Sequence, residues 1–166
     1  SQPIKITADI PDTTVYLARY FGNKLFYADT TESKDGVFQF EGNKHRGGLY
    51  AFVLPDSKPF DFIIDNEEIE MHIKDLKDPN GSVEVTKSVN NQLFFKYLKY
   101  MVVKREESNA IGPLMTATDA TEKAKEEYKA QLKQINADVV AMQQDIIQNN
   151  SDKFIGLMLN MTIDPK

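Results

Sequence analysis

Thr14-Val15-Tyr16-Leu17-Ala18-Arg19-Tyr20-Phe21-Gly22-Asn23-Lys24-Leu25-Phe26-Tyr27-Ala28-Asp29-Thr30 is the stretch that decides the fold. Both arms are rich in β-branched and aromatic residues, which suit a pleated, half-buried surface. Gly22-Asn23 supplies the two-residue reversal that joins antiparallel strands. The stretch therefore predicts a β-hairpin. Side chains alternate across a strand, so Val15, Leu17, Arg19 and Phe21 share one face, and Tyr16, Ala18 and Tyr20 share the other. If the first face is core, Tyr16 and Tyr20 are the exposed candidates for a ligand or partner face. Tyr16, Tyr20, Phe21, Phe26, Tyr27 and Tyr50 either line a sugar- or peptide-binding face or fill the strand core; both readings remain open here.

The same grammar continues outward. Lys34-Asp35-Gly36 turns the chain into Val37-Phe38-Gln39-Phe40-Glu41, and Gly47-Gly48 leads into Leu49-Tyr50-Ala51-Phe52-Val53-Leu54. Asp56-Ser57-Lys58-Pro59 precedes Phe60-Asp61-Phe62-Ile63-Ile64. Glu68-Ile69-Glu70-Met71-His72-Ile73 alternates cleanly, with Ile69, Met71 and Ile73 inward. Asp78-Pro79-Asn80-Gly81 reads as a turn before Val83-Glu84-Val85. Short strands about ten residues apart with tight connections predict a mostly antiparallel β-sandwich or barrel over residues 1–87.

Beyond Lys87 the period changes. Ser88 is placed to cap a helix running to about Glu106, with Leu93, Tyr97 and Met101 in one stripe beside Phe94 and Leu98. Residues 108–118 read as a loop, because Gly112-Pro113 interrupts the helical pattern. Asp119 with Glu122 resembles a capping box that opens a long helix ending near Asn149-Asn150. Tyr128, Leu132, Ile135, Val139, Met142 and Ile146 follow a heptad rhythm along it. That stripe is a candidate association helix for a homodimer, or it packs on residues 88–106 as an αα-hairpin. Ser151 is placed to cap a last short helix carrying Phe154, Leu157, Met158 and Met161. The expected class is thus α+β: an antiparallel β-sandwich (1–87) followed by a helical segment (88–166).

Composition separates the same two halves. Of 166 residues, 1–87 hold 11 of 17 aromatics and 6 of 8 glycines, with 10 basic and 15 acidic residues, so the net charge of −5 sits there. This net acidity argues against a nucleic-acid partner. No run of about 18 apolar residues exists, so no transmembrane segment is expected. The chain has no cysteine, hence no disulfide, thiol nucleophile or thiolate metal site of its own.

The search for chemistry yields no catalytic residue, no metal ligand set and no cofactor motif. His45 lies in the basic turn Asn43-Lys44-His45-Arg46, and His72 alternates outward on its strand. Neither has the second ligand that a metal site needs. The carboxylates Asp61, Asp65, Glu67, Glu68 and Glu70 cluster, but Asp65-Asn66-Glu67-Glu68 reads as a solvated turn between strands. The glycines form no phosphate-binding loop, and no serine stands in a nucleophile elbow. The sequon Asn160-Met161-Thr162 falls at a helix end. No enzyme activity is expected from this chain.

Val15 to Lys24, Asp29-Thr30 and the D-G-x-F-x-F strand Asp35 to Phe40 resemble the opening of a known family. Gly48-Leu49-Tyr50, Phe60 to Asp65 and Lys87 to Tyr97 continue the likeness. The family is a β-rich domain of unknown function that precedes thioredoxin-like domains of the alkyl-hydroperoxide-reductase or thiol-oxidoreductase type. It occurs in envelope proteins of Gram-negative gut anaerobes. Ser151-Asp152-Lys153-Phe154-Ile155-Gly156 resembles the linker before the thioredoxin-like domain. The resemblance implies that thiol-disulfide chemistry belongs to a C-terminal domain of the same polypeptide beyond Lys166. This chain would then be a non-catalytic accessory domain for recognition or dimerisation. It also implies a periplasmic or envelope location, with a lipid anchor on a removed N-terminal segment. The competing expectation is a stand-alone surface module that binds a glycan or a peptide.

Overall fold

The structure, a computed structural model, describes residues 1–163. Eight strands come first: β1 (Pro3–Ala8), β2 (Thr14–Phe21), β3 (Lys24–Glu32), β4 (Val37–Glu41), β5 (Gly48–Val53), β6 (Phe60–Ile64), β7 (Ile69–Ile73) and β8 (Val83–Lys87). A one-turn helix, α1 (Pro79–Ser82), precedes β8. Three further helices follow: α2 (Val89–Thr116), α3 (Glu122–Asn149) and α4 (Phe154–Ile163). The strands form two four-stranded sheets in the orders β4-β1-β7-β8 and β3-β2-β5-β6. The α+β class and the order of strands before helices are as the sequence predicts.

Turn chemistry sets the hairpins. Gly22 has φ +62°, and Asn23 does not join it in the left-handed region, the type II′ pattern. Asp35 and Gly36 are both left-handed, at φ 53° and 78°, so Lys34 to Val37 makes a type I′ turn. A Cβ at Gly36 would stand 2.6 Å from the Ala8 carbonyl oxygen, so the position admits only glycine. β1 is a strand that the period-two reading passed over. It pairs antiparallel with β4 and parallel with β7, and this parallel pair is an exception to the antiparallel pattern.

The core lies between the sheets. Ile4, Ile6, Phe38, Phe40, Ile69, Met71 and Ile73 face Val15, Leu17, Tyr50, Phe52, Phe60, Phe62 and Ile64 in one cluster. An aromatic chain runs through it: Phe38 to Phe52 at 5.0 Å between centroids, Phe52 to Phe60 at 4.8 Å, and Phe60 to Phe95 of α2 at 5.3 Å. Ile146 of α3 and Ile155 and Leu159 of α4 belong to the same cluster. The helices therefore share the sandwich core.

α2 closes the side of the sandwich where β6 and β8 are edge strands. Asn91, fully buried at 0% exposure, is the reason it fits. Its Oδ1 accepts from the Ile63 N–H at 2.8 Å and its Nδ2 donates to the Ile63 carbonyl at 2.8 Å. One side-chain amide thus pairs the β6 edge as a neighbouring strand would, and both backbone groups of the buried Ile63 are satisfied. Ser88, just before α2, sits at φ 122° and ψ 104°. It is held there from three sides: its Oγ accepts from the Asn91 backbone and side-chain amides, and its hydroxyl donates to Glu67.

Four sequence expectations are corrected. Residues 108–116 are not a loop: α2 continues to Thr116 with Pro113 inside it. Pro113 lacks the N–H that would donate to the Asn109 carbonyl, but only three residues of α2 follow it, and Ile111 is buried beside it. Second, Thr121 caps α3, accepting from the Ala124 N–H at 3.1 Å, rather than Asp119. Third, Ser151 does not cap α4. The Phe154 N–H donates to Asp65 Oδ2 and the Ile155 N–H to Asn90 Oδ1, each at 2.9 Å. Fourth, the Asp65–Glu67 turn is consequently a docking point for two helices and not merely solvated. Its carboxylates take the amide of α4, both N–H groups of Asn90 and the Ser88 hydroxyl.

An aromatic and basic cleft at the hairpin tip as candidate functional site

Leu17 opposes Asp29 and Ala18 opposes Tyr27, so Ala28 is an extra residue, a bulge in β3. The bulge places Phe26 opposite Arg19, and cross-strand partners share a face. Arg19, Phe21 and Phe26 therefore continue the inward-facing row of Val15 and Leu17. Val15 and Leu17 are 0% exposed, whereas Phe21 is 56% and Phe26 51% exposed. The hairpin tip overhangs the core, and its inner face opens to solvent.

The chain after β4 builds the opposite wall. A single 3-10 turn, Gly42–Lys44, carries Lys44, His45 and Arg46 up to the tip, with Tyr50 of β5 behind them. The cleft between them is open to solvent and has a volume of about 660 Å³. Phe21 and Phe26 meet edge to face at 5.3 Å. The Arg19 guanidinium lies 5.1 Å from the Phe21 centroid and 5.6 Å from the Tyr50 centroid. The Tyr50 hydroxyl donates to the Arg46 carbonyl at 2.8 Å, fixing the basic turn against the sheet. Burial pushes the Tyr50 phenol up, and the Arg19 and Arg46 charges partly offset it. The His45 ring packs 5.8 Å from Tyr50. Its Nε2 is buried without a hydrogen-bond partner, 3.6 Å from Asp29 Oδ2.

The predicted residues lie elsewhere. Tyr16 and Tyr20 are half-buried on the other face of β2, and neither lines the cleft. Tyr16 packs edge to face on Tyr27 at 5.1 Å. The Tyr20 hydroxyl reaches across β5 and donates to Asp61 Oδ1 at 2.7 Å. Burial and the Asp61 carboxylate push the Tyr20 phenol up to about 12. Burial raises Asp61, and the Tyr20 hydrogen bond partly opposes this. Because the folded phenol holds its proton longer than a free one, stability falls as pH rises from about 10 towards 12. Tyr20→Phe is expected to abolish the latest-titrating tyrosine in a 295 nm titration. It should also raise Asp61 further in a carboxyl NMR titration, since burial stays and the donor goes. An unchanged Asp61 midpoint would refute the pairing.

The stripe Tyr128, Leu132, Ile135, Val139, Met142 and Ile146 faces α2 within the chain. Ile146 is buried and the other five are half-buried. Lys104 of α2 pairs with Asp138 at 3.0 Å, and Gln143 donates to the Tyr97 hydroxyl at 2.9 Å. His72 is exposed. Among the described residues no three His, Asp or Glu side chains converge as a metal site, and no helix is long and apolar enough to cross a membrane.

Sequence reasoning missed Arg19 and Arg46, and it named Phe21 and Phe26 only among six aromatics able to line a binding face, without setting them apart from Tyr16 and Tyr20. Two signals pointed to the two arginines. Arg19 is a cation in an otherwise apolar inward row, which marks where the core ends. Lys44-His45-Arg46 is a basic turn in the half that carries the whole negative charge.

No curated protein and no solved structure matches this chain. A family model described as a domain of unknown function (DUF4369) matches residues 4–94, more than half of the chain, from β1 through the first turns of α2. The sandwich and the start of the helix that closes it are thus the matched unit, and the chain belongs to the DUF4369 family.

Proposed function

We propose that this chain is the accessory recognition domain of a cell-envelope thiol-disulfide oxidoreductase, carried on the same polypeptide as a C-terminal thioredoxin-like domain. The observation that carries the recognition role is the hairpin cleft. It exposes two phenylalanines and a basic turn on a rigid two-sheet frame, a form suited to holding a partner. The accessory role rests on the resemblance at Val15–Lys24, Asp35–Phe40 and Lys87–Tyr97, and on composition. Thiol-disulfide exchange needs a thiolate, and this chain has no cysteine, so another domain must supply it. α4, latched to Asp65 and Asn90, would then lead out of the sandwich towards that domain. Residues 1–87 serve in this reading as the recognition unit and 88–166 as the helical connector.

Two measurements test this. The native polypeptide is sized in its source cells by immunoblot and fractionation. A band in the envelope fraction, above 18.9 kDa by a thioredoxin-sized domain of about 100–150 residues, is expected. The full polypeptide and a version lacking residues 1–166 are then compared in a disulfide-reduction assay on a protein substrate and on a small disulfide. Loss of this chain should weaken the protein-substrate reaction about tenfold and leave the small disulfide unchanged. Equal rates on both substrates would overturn the accessory role. The same cleft also favours the second reading, a free-standing binding module, which a native band near 18.9 kDa would select.

A further inference from the structure

We propose that the hairpin cleft binds an acidic peptide segment of a partner protein, with Arg19, Lys44 and Arg46 taking its carboxylates and Phe21 and Phe26 an adjoining apolar side chain. This rests on the reading of the cleft as a recognition surface and names its ligand.

Charge is the first argument. Residues 1–87 have a net charge of −5, yet this one cleft gathers three permanent cations against one carboxylate, Asp29. None of the three cations has a carboxylate within 4.0 Å among the described residues, while seven ion pairs are formed elsewhere among them. Arg19 is already oriented. Its guanidinium stacks near two rings and donates weakly to the Gly47 carbonyl at 3.4 Å, and Gly48 leaves it room, since a Cβ there would stand 3.3 Å from it. A guanidinium held in this way offers its fork to a carboxylate with little further entropy loss.

The unpartnered His45 Nε2 is the second argument. Its side chain is only 11% exposed, too far from Asp29 for a good hydrogen bond and otherwise unsatisfied. The atom is closed to solvent in the free chain, so a ligand group supplies the partner it lacks as the basic turn shifts to admit it.

The shape of the aromatic pair selects a peptide over a sugar. The Phe21 and Phe26 rings stand at 79° to each other, and Arg19 lies over Phe21. Sugars stack on a flat, open ring face. An edge-to-face pair instead makes a notch that suits a branched aliphatic side chain.

The test uses the 166-residue chain and a fluorescein-labelled hexapeptide of alternating Glu and Leu. Controls are the same peptide with Gln for Glu and an oligogalacturonate of similar charge. Saturable binding of the Glu peptide is expected, at least tenfold tighter than the Gln peptide and weakened by salt. Arg46→Glu, at an exposed position whose side chain makes no bond in the fold, should weaken it about ten- to hundredfold. Phe26→Ser should weaken Glu and Gln peptides alike. Circular dichroism confirms that both variants remain folded. Equal affinity for Glu and Gln peptides, no loss in Arg46→Glu, preference for the oligogalacturonate, or no binding of any probe would each overturn the proposal. No thiol readout enters, so this outcome is separate from that of the oxidoreductase assay.

Discussion

Asn91→Leu is expected to lower the stability of this protein by about 3–5 kcal/mol, because two buried backbone groups lose their partner at about 1–3 kcal/mol each. The two groups are the Ile63 N–H and carbonyl, on a residue with 0% exposure. Leucine fills a similar volume, so the loss reports hydrogen bonding and not a cavity. The variant also removes a donor to Ser88, whose left-handed conformation the amide helps to hold. For a chain of this size each kcal/mol moves Tm by about 2–4 °C, so a fall of roughly 10 °C should appear in a thermal melt. Gln92→Ala is the matched control. Its side chain is exposed and donates only to the Val85 carbonyl at 3.1 Å, so the cost should stay within about 0.5 kcal/mol. A loss below about 1 kcal/mol in Asn91→Leu would mean that solvent satisfies the β6 edge and that the amide is dispensable.

Phe95→Ala is expected to cost about 3–5 kcal/mol, as large-to-small changes of a buried phenylalanine do. Phe95 is 2% exposed and touches Phe60 at 5.3 Å and Phe94 at 5.2 Å between centroids. It is the ring that joins the aromatic chain of the sandwich to α2. The informative readout is cooperativity. Ellipticity at 222 nm follows the helices, and the amide NMR signals of β1, β2 and β5 follow the sheets. In urea both signals should move together to a lower midpoint in Phe95→Ala. If the helical signal were lost first in the native chain, the helices would be a separate folding unit merely resting on the sandwich.

Much of this fold was legible in local residues. The hairpin at Gly22-Asn23, the Asp35-Gly36 turn and the inward row Ile69, Met71 and Ile73 stand where the period-two pattern and turn chemistry put them. These features depend on neighbours in sequence, and steric limits on φ and ψ act at that range. β1 was missed because its apolar residues, Ile4, Ile6 and Ala8, sit in a short segment without a turn signal before it. Its place between β4 and β7 depends on partners about 35 and 65 residues away. α2 outran its predicted end because Pro113 stands so near the C-terminus that the bond it removes leaves only the last turn beyond it, and the buried Ile111 holds the helix there.

The candidate cleft was the least legible part. Arg19 and Phe21 alternate in phase with Val15 and Leu17, so the pattern alone assigned them to one face and suggested Tyr16 and Tyr20 as the exposed pair. Where that face stops being core depends on how far the opposite sheet extends and on a bulge at Ala28, and neither is a property of β2 itself.

The sequence by itself determined the class of elements, their order, the absence of any thiol in this chain, and which residues of each strand share a face. Those properties come from backbone sterics, side-chain alternation and composition, all of which act locally. Only the tertiary structure decided that Asn91 completes the β6 edge, that Asp65 and Asn90 cap α4, and that three cations meet two exposed phenylalanines at the hairpin tip. Each of these joins groups far apart in the chain, and burial and hydrogen-bond satisfaction become defined only once the sheets and helices have closed around them.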